Sequence, residues 1–199
     1  MKGQMFLIAA IVIATGLLIA RFTIKNPSIE EQRKILEMRY EKEFFENIRE
    51  ELENSIIFSS HQKENIANNV FDFSNFTKTK VSEHAMELKL LFLGSISNFS
   101  SQTLNITLLN LLNKKIYVEL DLNGSKKGND IEDYGRWDTS FTIIPGLNYV
   151  LTFKYDDYSN NITIRTSESK YVYNSFFDLT LIGFDAVYKR KFQSEYVFL

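Results

Sequence analysis

The chain has 199 residues, of which 44% are hydrophobic and 14% aromatic, and its formal net charge is −2. This size and composition suffice for one modest hydrophobic core plus an extended segment. The small net charge excludes an overall electrostatic field that would attract nucleic acid. Cysteine is absent, so disulfides and thiolate metal sites are excluded as well.

The first predicted element is a membrane-spanning helix. An uncharged apolar run covers residues 5–20 and ends at Arg21, and sixteen helical residues span roughly 24 Å. We assign residues 1–25 to a signal or anchor helix whose partner is membrane lipid. Three interpretations of this segment compete: a cleaved secretory signal, a plain uncleaved anchor, and a helix retained after processing close to the N-terminus.

The residues before the apolar run bear on the third interpretation. Lys2-Gly3-Gln4 directly precedes the run, and this arrangement resembles the processing site of archaeal class III signal peptides, the leaders of type IV pilin-like proteins. The resemblance implies that a prepilin-type peptidase cuts between Gly3 and Gln4 and that the helix stays as an anchor and as the packed core of a filament. Phe6 and Ile8 stand where such pilins often carry Ser and Glu, so the buried carboxylate that favours assembly is lacking.

The second predicted element is an amphipathic stalk helix over residues 26–58. Pro27 interrupts the first helix, and Ser28 with Glu31 forms the pattern of a capping box. Apolar residues then recur at every fourth position, at Leu36, Tyr40, Phe44, Ile48, Leu52 and Ile56. Such a stripe suits a helix that packs on a partner surface. That surface is either the chain's own β domain or the helices of other subunits.

The polar segment 59–80 is predicted to be a linker, with a short helix inside it as the alternative, and a strand-rich domain covers residues 81–199. Apolar residues alternate with polar ones over 116–122, 147–155 and 161–164, as half-buried strands require. Asn123-Gly124 and Pro145-Gly146 predict turns. We therefore expect an α+β protein: an N-terminal transmembrane helix, a stalk helix and an antiparallel β-sandwich head, with the immunoglobulin-like form of the sandwich as a further expectation.

Five Asn-x-Ser/Thr sequons lie beyond the stalk and predict N-glycosylation of an extracellular domain. They begin at Asn75, Asn98, Asn105, Asn123 and Asn161. The alternative is that these residues are merely exposed and polar. A strand-rich domain held away from a bilayer by a helix is also a common extracellular layout, so we expect a single-pass protein of the cell membrane with its C-terminal domain outside.

The chain contains no recognisable catalytic motif, and we predict no enzyme, no cofactor and no metal site. The acidic loops Asp130–Asp133 and Asp156-Asp157 carry oxygen ligands of the kind that calcium prefers, but such loops are more often solvated turns. Tyr134, Trp137 and Tyr158 lie near these loops, and aromatic side chains beside acidic groups can bind sugars.

The sequence thus predicts a cell-surface structural protein, a type IV pilin-like subunit or pseudopilin that serves filament assembly or adhesion. Its expected partners are membrane lipid, a prepilin-type peptidase and further copies of the chain through the N-terminal helix, and not nucleic acid. The alternative is a monomeric single-pass membrane protein whose β domain binds a ligand or partner.

Overall fold

Two helices precede nine strands in the part of the chain that the structure, a computed structural model, describes: residues 29–61 and 66–198. The helices are α1 (Ile29–His61) and α2 (Ile66–Glu83). The strands are β1 (Glu87–Asn98), β2 (Thr103–Leu111), β3 (Ile116–Leu122), β4 (Ser125–Ile131), β5 (Gly135–Thr142), β6 (Asn148–Tyr155), β7 (Tyr158–Arg165), β8 (Tyr171–Ile182) and β9 (Val187–Phe198).

The strands form two antiparallel sheets, consistent with the predicted β-sandwich. The five-stranded sheet has the order β5-β2-β1-β8-β9, and the four-stranded sheet has the order β4-β3-β6-β7. We refer to the two sheets together as the head. The α+β class and the two antiparallel sheets confirm the coarse prediction. The predicted anchor helix over 1–25 lies outside the described residues, and none of the described helices is long and apolar enough to cross a membrane.

The first hydrophobic core lies between the two sheets. Strand side chains point alternately to opposite faces, so Leu104, Ile106 and Leu108 of β2 enter this core while Asn105 and Thr107 face outward. On the opposite sheet, β3 and β6 contribute every second residue, including the fully buried Phe153.

A second core lies on the outer face of the five-stranded sheet, where α1 and α2 cover it. The buried residues of α1 from Tyr40 onward are Glu41, Phe45, Ile48, Leu52, Ile56 and Ser59. Strands β1 and β8 are therefore buried on both faces along most of their length. Of the two predicted partners for the stalk, the chain's own β domain is the one that this part of α1 contacts.

The buried stripe of α1 differs from the predicted one. Leu36 and Tyr40 are exposed by 66% and 54%, and Phe45 rather than Phe44 is fully inside. Steps of four residues drift around a helix of 3.6 residues per turn, whereas the observed mixture of steps of three and four keeps one face against the sheet.

The predicted linker 59–80 is wrong over most of its length, because residues 66–80 belong to α2. The buried face of α2 mixes apolar Ile66, Val70 and Val81 with polar Ser74 and Lys78. Lys78 donates from Nζ to the carbonyl of Leu111, the last residue of β2, at 3.3 Å. This polar inner face weakens the apolar periodicity that marks a helix in a sequence.

The strand predictions hold best where burial alternates. The β3–β4 hairpin turns at Asn123-Gly124, both with positive φ, as a two-residue loop between antiparallel strands favours. Strand β4 itself was not predicted, because six of its seven residues are exposed and it carries no alternation. Strand β9 is a single strand of twelve residues whose half-buried and exposed positions do not alternate strictly.

Candidate functional site

A polar cleft of about 260 Å³ lies on the outer face of the five-stranded sheet, beside the first turn of α2. Asn68 of α2, Asn105 and Thr107 of β2, Arg136 of β5 and Tyr173 of β8 bring polar atoms to it. Ile66, Ala67, Gly94 and Ile96 complete its walls. The strand residues reach the cleft because they occupy the outward positions of their strands, opposite the inter-sheet core.

Arg136 is held at the cleft by two neighbours. Its Nε donates to Asp138 Oδ2 at 2.7 Å, and its Nη1 donates to Asn68 Oδ1. Asp138 Oδ1 also accepts from Thr107 Oγ1 at 2.6 Å, across the register pair of β2 and β5. Burial alone would raise the pKa of the Asp138 carboxyl, but the hydrogen bonds from Arg136 and Thr107 and the guanidinium charge outweigh it and lower that pKa. The carboxylate therefore offsets the charge of Arg136, and the network carries no net charge.

Tyr173 is the most deeply buried polar residue of the cleft. Its side chain leans over β1, where a methyl group on Gly94 would collide with the hydroxyl. The residue is 4% exposed, and among the described residues no hydrogen bond to its hydroxyl is found. Burial raises its pKa, so the phenol is neutral at physiological pH. Because Tyr173 lines the cleft, its hydroxyl is available to a molecule that enters there.

The predicted glycosylation sites fall in different environments. Asn105, Asn123 and Asn161 are exposed, on β2, in the β3–β4 turn and on β7. Asn98 ends β1, and its Oδ1 accepts the backbone N–H groups of Ser100 and Ser101 at 3.0 and 3.1 Å. The oxygens of Asn123 and Asn161 likewise accept hydrogen bonds, whereas a glycan attaches to the nitrogen.

Asn75 differs from the other four sequons. It lies within α2, and its Oδ1 is buried without a partner. The Thr77 of the same sequon is buried as well. Asn75 as a whole is half-buried. The processing site Gly3-Gln4 lies outside the described residues.

The acidic loop at 130–133 is paired with lysines. Lys115 Nζ lies 3.2 Å from Asp130 and 3.0 Å from Glu132, and Lys78 Nζ lies 3.7 Å from Asp133. The hydrogen bonds to Glu132 and Asp130 raise the pKa of Lys115. Within residues 29–61 and 66–198, no three acidic or imidazole side chains converge in a way that would hold a metal ion.

The three aromatic residues predicted as possible sugar contacts are not gathered in one place. Trp137 is partly buried and packs against the inter-sheet core. Tyr134 is half exposed, and Lys78 Nζ lies 4.0 Å from its ring centroid. Tyr158 packs on the inter-sheet core, and Lys191 Nζ lies 2.9 Å from its ring centroid. Each ring is thus engaged within the protein.

A buried ionic cluster, which sequence reasoning missed, links the two sheets near β9. Lys191 Nζ lies 3.1 Å from Asp178 Oδ2 and 3.2 Å from the Tyr155 hydroxyl, and that hydroxyl donates to Asp178. Burial, and then the hydrogen bond to Asp178, raises the pKa of Tyr155. Its residues come from β6, β8 and β9, so only strand pairing brings them together. The cluster joins β6 of one sheet to β8 and β9 of the other. We therefore assign it a structural role, in holding the two sheets together.

The cleft was likewise missed as a site, although Asn105 was singled out as a sequon. A signal existed in the outward polar positions of β2, where Asn105 and Thr107 interrupt an otherwise apolar segment. The chain matches no known family model, and no characterised protein or solved structure is significantly similar to it.

Proposed function

We propose that the chain is a membrane-anchored structural protein of the cell surface, a type IV pilin-like or pseudopilin subunit that serves filament assembly or adhesion. The observation that carries this proposal is the junction between α1 and the head. From Tyr40 onward, α1 is built into the second hydrophobic core, with Leu52 and Ile56 at most 1% exposed. A helix that is built into the head from Tyr40 onward suits a protein whose head is displayed by an N-terminal anchor.

Polar and aromatic contacts strengthen the junction. Phe45 stacks on Tyr188 of β9 with ring centroids 5.9 Å apart, and Arg190 of β9 pairs with Glu46 at 3.3 Å. Glu41 Oε1 accepts the backbone N–H of Phe184, in the β8–β9 turn, at 2.8 Å. These contacts span residues 41–46 of α1 and reach the β8–β9 turn and β9, so force on the helix would be passed to this hairpin.

The segment of α1 before Tyr40 has a different character. Ile35 and Leu36 are exposed by 60% and 66%. Exposed apolar residues on a helix that follows an apolar segment suit packing against helices of other copies, as the resemblance to pilins implies. This segment supports self-association as the proposed partner interaction.

The strand order supports the finer, immunoglobulin-like assignment of the head. With β1–β7 labelled A, B, C, C′, E, F and G, the neighbours are E-B-A in one sheet and C′-C-F-G in the other. Immunoglobulin-like sandwiches pair strands in this way, with C′ added to the C-F-G sheet in the variable type. Strands β8 and β9 extend the sheet beyond strand A and carry the contacts to α1.

N-terminal processing is the direct test. We would express the full chain with and without a prepilin-type peptidase and measure its intact mass and N-terminal sequence. The expected product begins at Gln4. Gly3→Val should block the cut, while the matched Gly16→Val, inside the apolar run, should leave it unchanged. Retention of Met1-Lys2-Gly3 in the presence of active peptidase contradicts the proposal.

The predicted extracellular location of the head has its own test. Protease added outside intact cells should reach the head and digest it.

The second candidate is a monomeric single-pass protein whose head binds a ligand or partner. The observation that favours it is the cleft, where the polar side chains of Asn105, Arg136 and Tyr173 meet. Electron microscopy and the mass of the detergent-solubilised protein discriminate between the two. Filaments or oligomers favour the pilin-like subunit, and monomers that retain Met1 favour the second candidate.

A further inference from the structure

We propose that the cleft between α2 and the five-stranded sheet binds a single sugar ring. This inference does not depend on filament assembly or on N-terminal processing. It rests on the chemistry of the polar groups at the cleft, on the size of the cleft and on the unpartnered hydroxyl of Tyr173.

The polar groups of the cleft suit a neutral ligand with several hydroxyl groups. Arg136 supplies N–H donors, and its charge is offset by Asp138 at 2.7 Å. Asn105 supplies an amide that can both donate and accept, and the hydroxyl of Tyr173 can do the same. A charged ligand would have no opposite charge to pair with, because Asp138 already offsets Arg136. A neutral sugar is suited to the cleft, because each of its hydroxyl groups can both donate and accept a hydrogen bond.

The buried position of Tyr173 indicates that the site is built. Gly94 leaves the space in which the Tyr173 hydroxyl sits, because any larger residue there would collide with it. Tyr173 is 4% exposed as a residue, and its hydroxyl, which forms no hydrogen bond with a described residue, lines the cleft. A ligand hydroxyl in the cleft could form that hydrogen bond.

The size and walls of the cleft limit the ligand to about one ring. Its volume of about 260 Å³ is below the roughly 300–1,000 Å³ of sites for drug-sized ligands. Ile66 and Ile96 line it beside the polar groups, which suits the mixed polar and C–H surface of a pyranose. Because few atoms are engaged, we expect a dissociation constant on the order of 1 mM.

The sugar has two conceivable sources. One is a glycan of another molecule at the cell surface. The other is the first residue of a glycan on Asn105, which is exposed on β2 and lines the cleft itself. Both sources present the same chemistry to Tyr173 and Arg136.

The test uses the full-length chain made in a host without N-glycosylation and kept in a zwitterionic detergent, since many common detergents carry sugar headgroups. Saturation-transfer difference NMR would measure binding of the methyl glycosides of glucose, galactose, mannose and N-acetylglucosamine. At least one should bind. Tyr173→Phe should weaken it by about 3- to 10-fold, the value of one hydrogen bond, and Arg136→Gln by a similar factor. Tyr117→Phe, at an exposed tyrosine of the other sheet, is the matched control and should bind like the wild type.

Two results overturn the proposal. One is that none of the four glycosides binds at about 10 mM, which is 10-fold above the expected dissociation constant. The other is equal binding by the wild type and Tyr173→Phe.

A second preparation, co-expressed with an N-glycosylation machinery, identifies the source of the sugar. If peptide mass spectrometry finds a sugar on Asn105 and added glycoside no longer binds, the chain's own glycan fills the cleft. If Asn105 is bare and binding persists, the ligand is external.

Discussion

Asp178 and Lys191 face each other in register across β8 and β9, with Oδ2 and Nζ 3.1 Å apart. Asp178 is almost fully buried, with a side-chain exposure of 7%, while Lys191 retains 26%. The pair is completed by the Tyr155 hydroxyl from the opposite sheet. Three strands from two sheets thus contribute to this charged group, whereas Asp178 Oδ1 is buried without a hydrogen-bond partner.

This pair predicts an asymmetry between single and double substitutions. Asp178→Leu alone should lower the free energy of unfolding by about 2–4 kcal/mol, because it leaves Lys191 partly buried without its carboxylate. The double variant Asp178→Leu/Lys191→Met should recover most of this loss. Urea denaturation followed by tryptophan fluorescence measures both. Equal losses in the single and double variants would show that packing, not charge pairing, governs this region.

The alkaline stability of the head should depend on Tyr173. Burial raises its pKa above the ordinary value of about 10. The folded state therefore keeps this proton when the unfolded state loses it, so the stabilisation is present below about pH 10 and is lost as the pH rises further. The slope for one such group is about 1.4 kcal/mol per pH unit.

Tyr173→Phe should flatten that decline and should cost little stability at neutral pH, because the hydroxyl lines the cleft and forms no hydrogen bond with a described residue. Denaturation midpoints between pH 8 and 11 check both statements, with Tyr117→Phe as the matched substitution. A marked loss of stability at pH 7 in Tyr173→Phe would mean that the hydroxyl is satisfied within the protein, and would argue against its role in ligand binding.

The junction of α1 with the head should depend on Leu52. Leu52→Ala should destabilise the protein by about 2–5 kcal/mol, because the side chain is 1% exposed in the second core and its loss leaves a cavity. Ile57→Ala removes a similar side chain that is 42% exposed, and we expect a loss below about 1 kcal/mol. Thermal unfolding measured by circular dichroism distinguishes them. Similar effects of the two substitutions would contradict the observed stripe.

The junction of α1 with the head should also depend on a polar contact, the hydrogen bond between Glu41 and the β8–β9 turn. Glu41→Ala removes the acceptor of the Phe184 N–H, and we expect a loss of about 1–3 kcal/mol together with faster hydrogen exchange at that amide. Glu51→Ala, at an exposed position of the same helix, is the control. Unchanged exchange at Phe184 in Glu41→Ala would show that the turn is stable without the helix.

Much of the strand prediction follows from local features of the sequence, namely the alternation of apolar and polar residues and the residues typical of tight turns. Strand β3 has the bounds Ile116–Leu122 that its alternation predicts, and the turn at Asn123-Gly124 follows from two residues that tolerate positive φ. Strand β4 has no such signal, because it is an exposed edge strand held by its hydrogen bonds to β3. Helix α2 was missed because half of its buried face is polar, and Lys78 is satisfied only by groups far away in the chain.

The amino-acid sequence by itself determined the features whose causes are local: the apolar N-terminal run, the strand-rich domain after residue 80 and the tight turns. Only the tertiary structure decided which face of α1 is buried, that α2 covers the sheet, and that Asn68, Arg136 and Tyr173 meet at one cleft. The reason is physical. Periodicity and backbone preference act over a few residues, whereas a cleft or a buried ion pair is assembled by strand pairing between segments that are tens of residues apart.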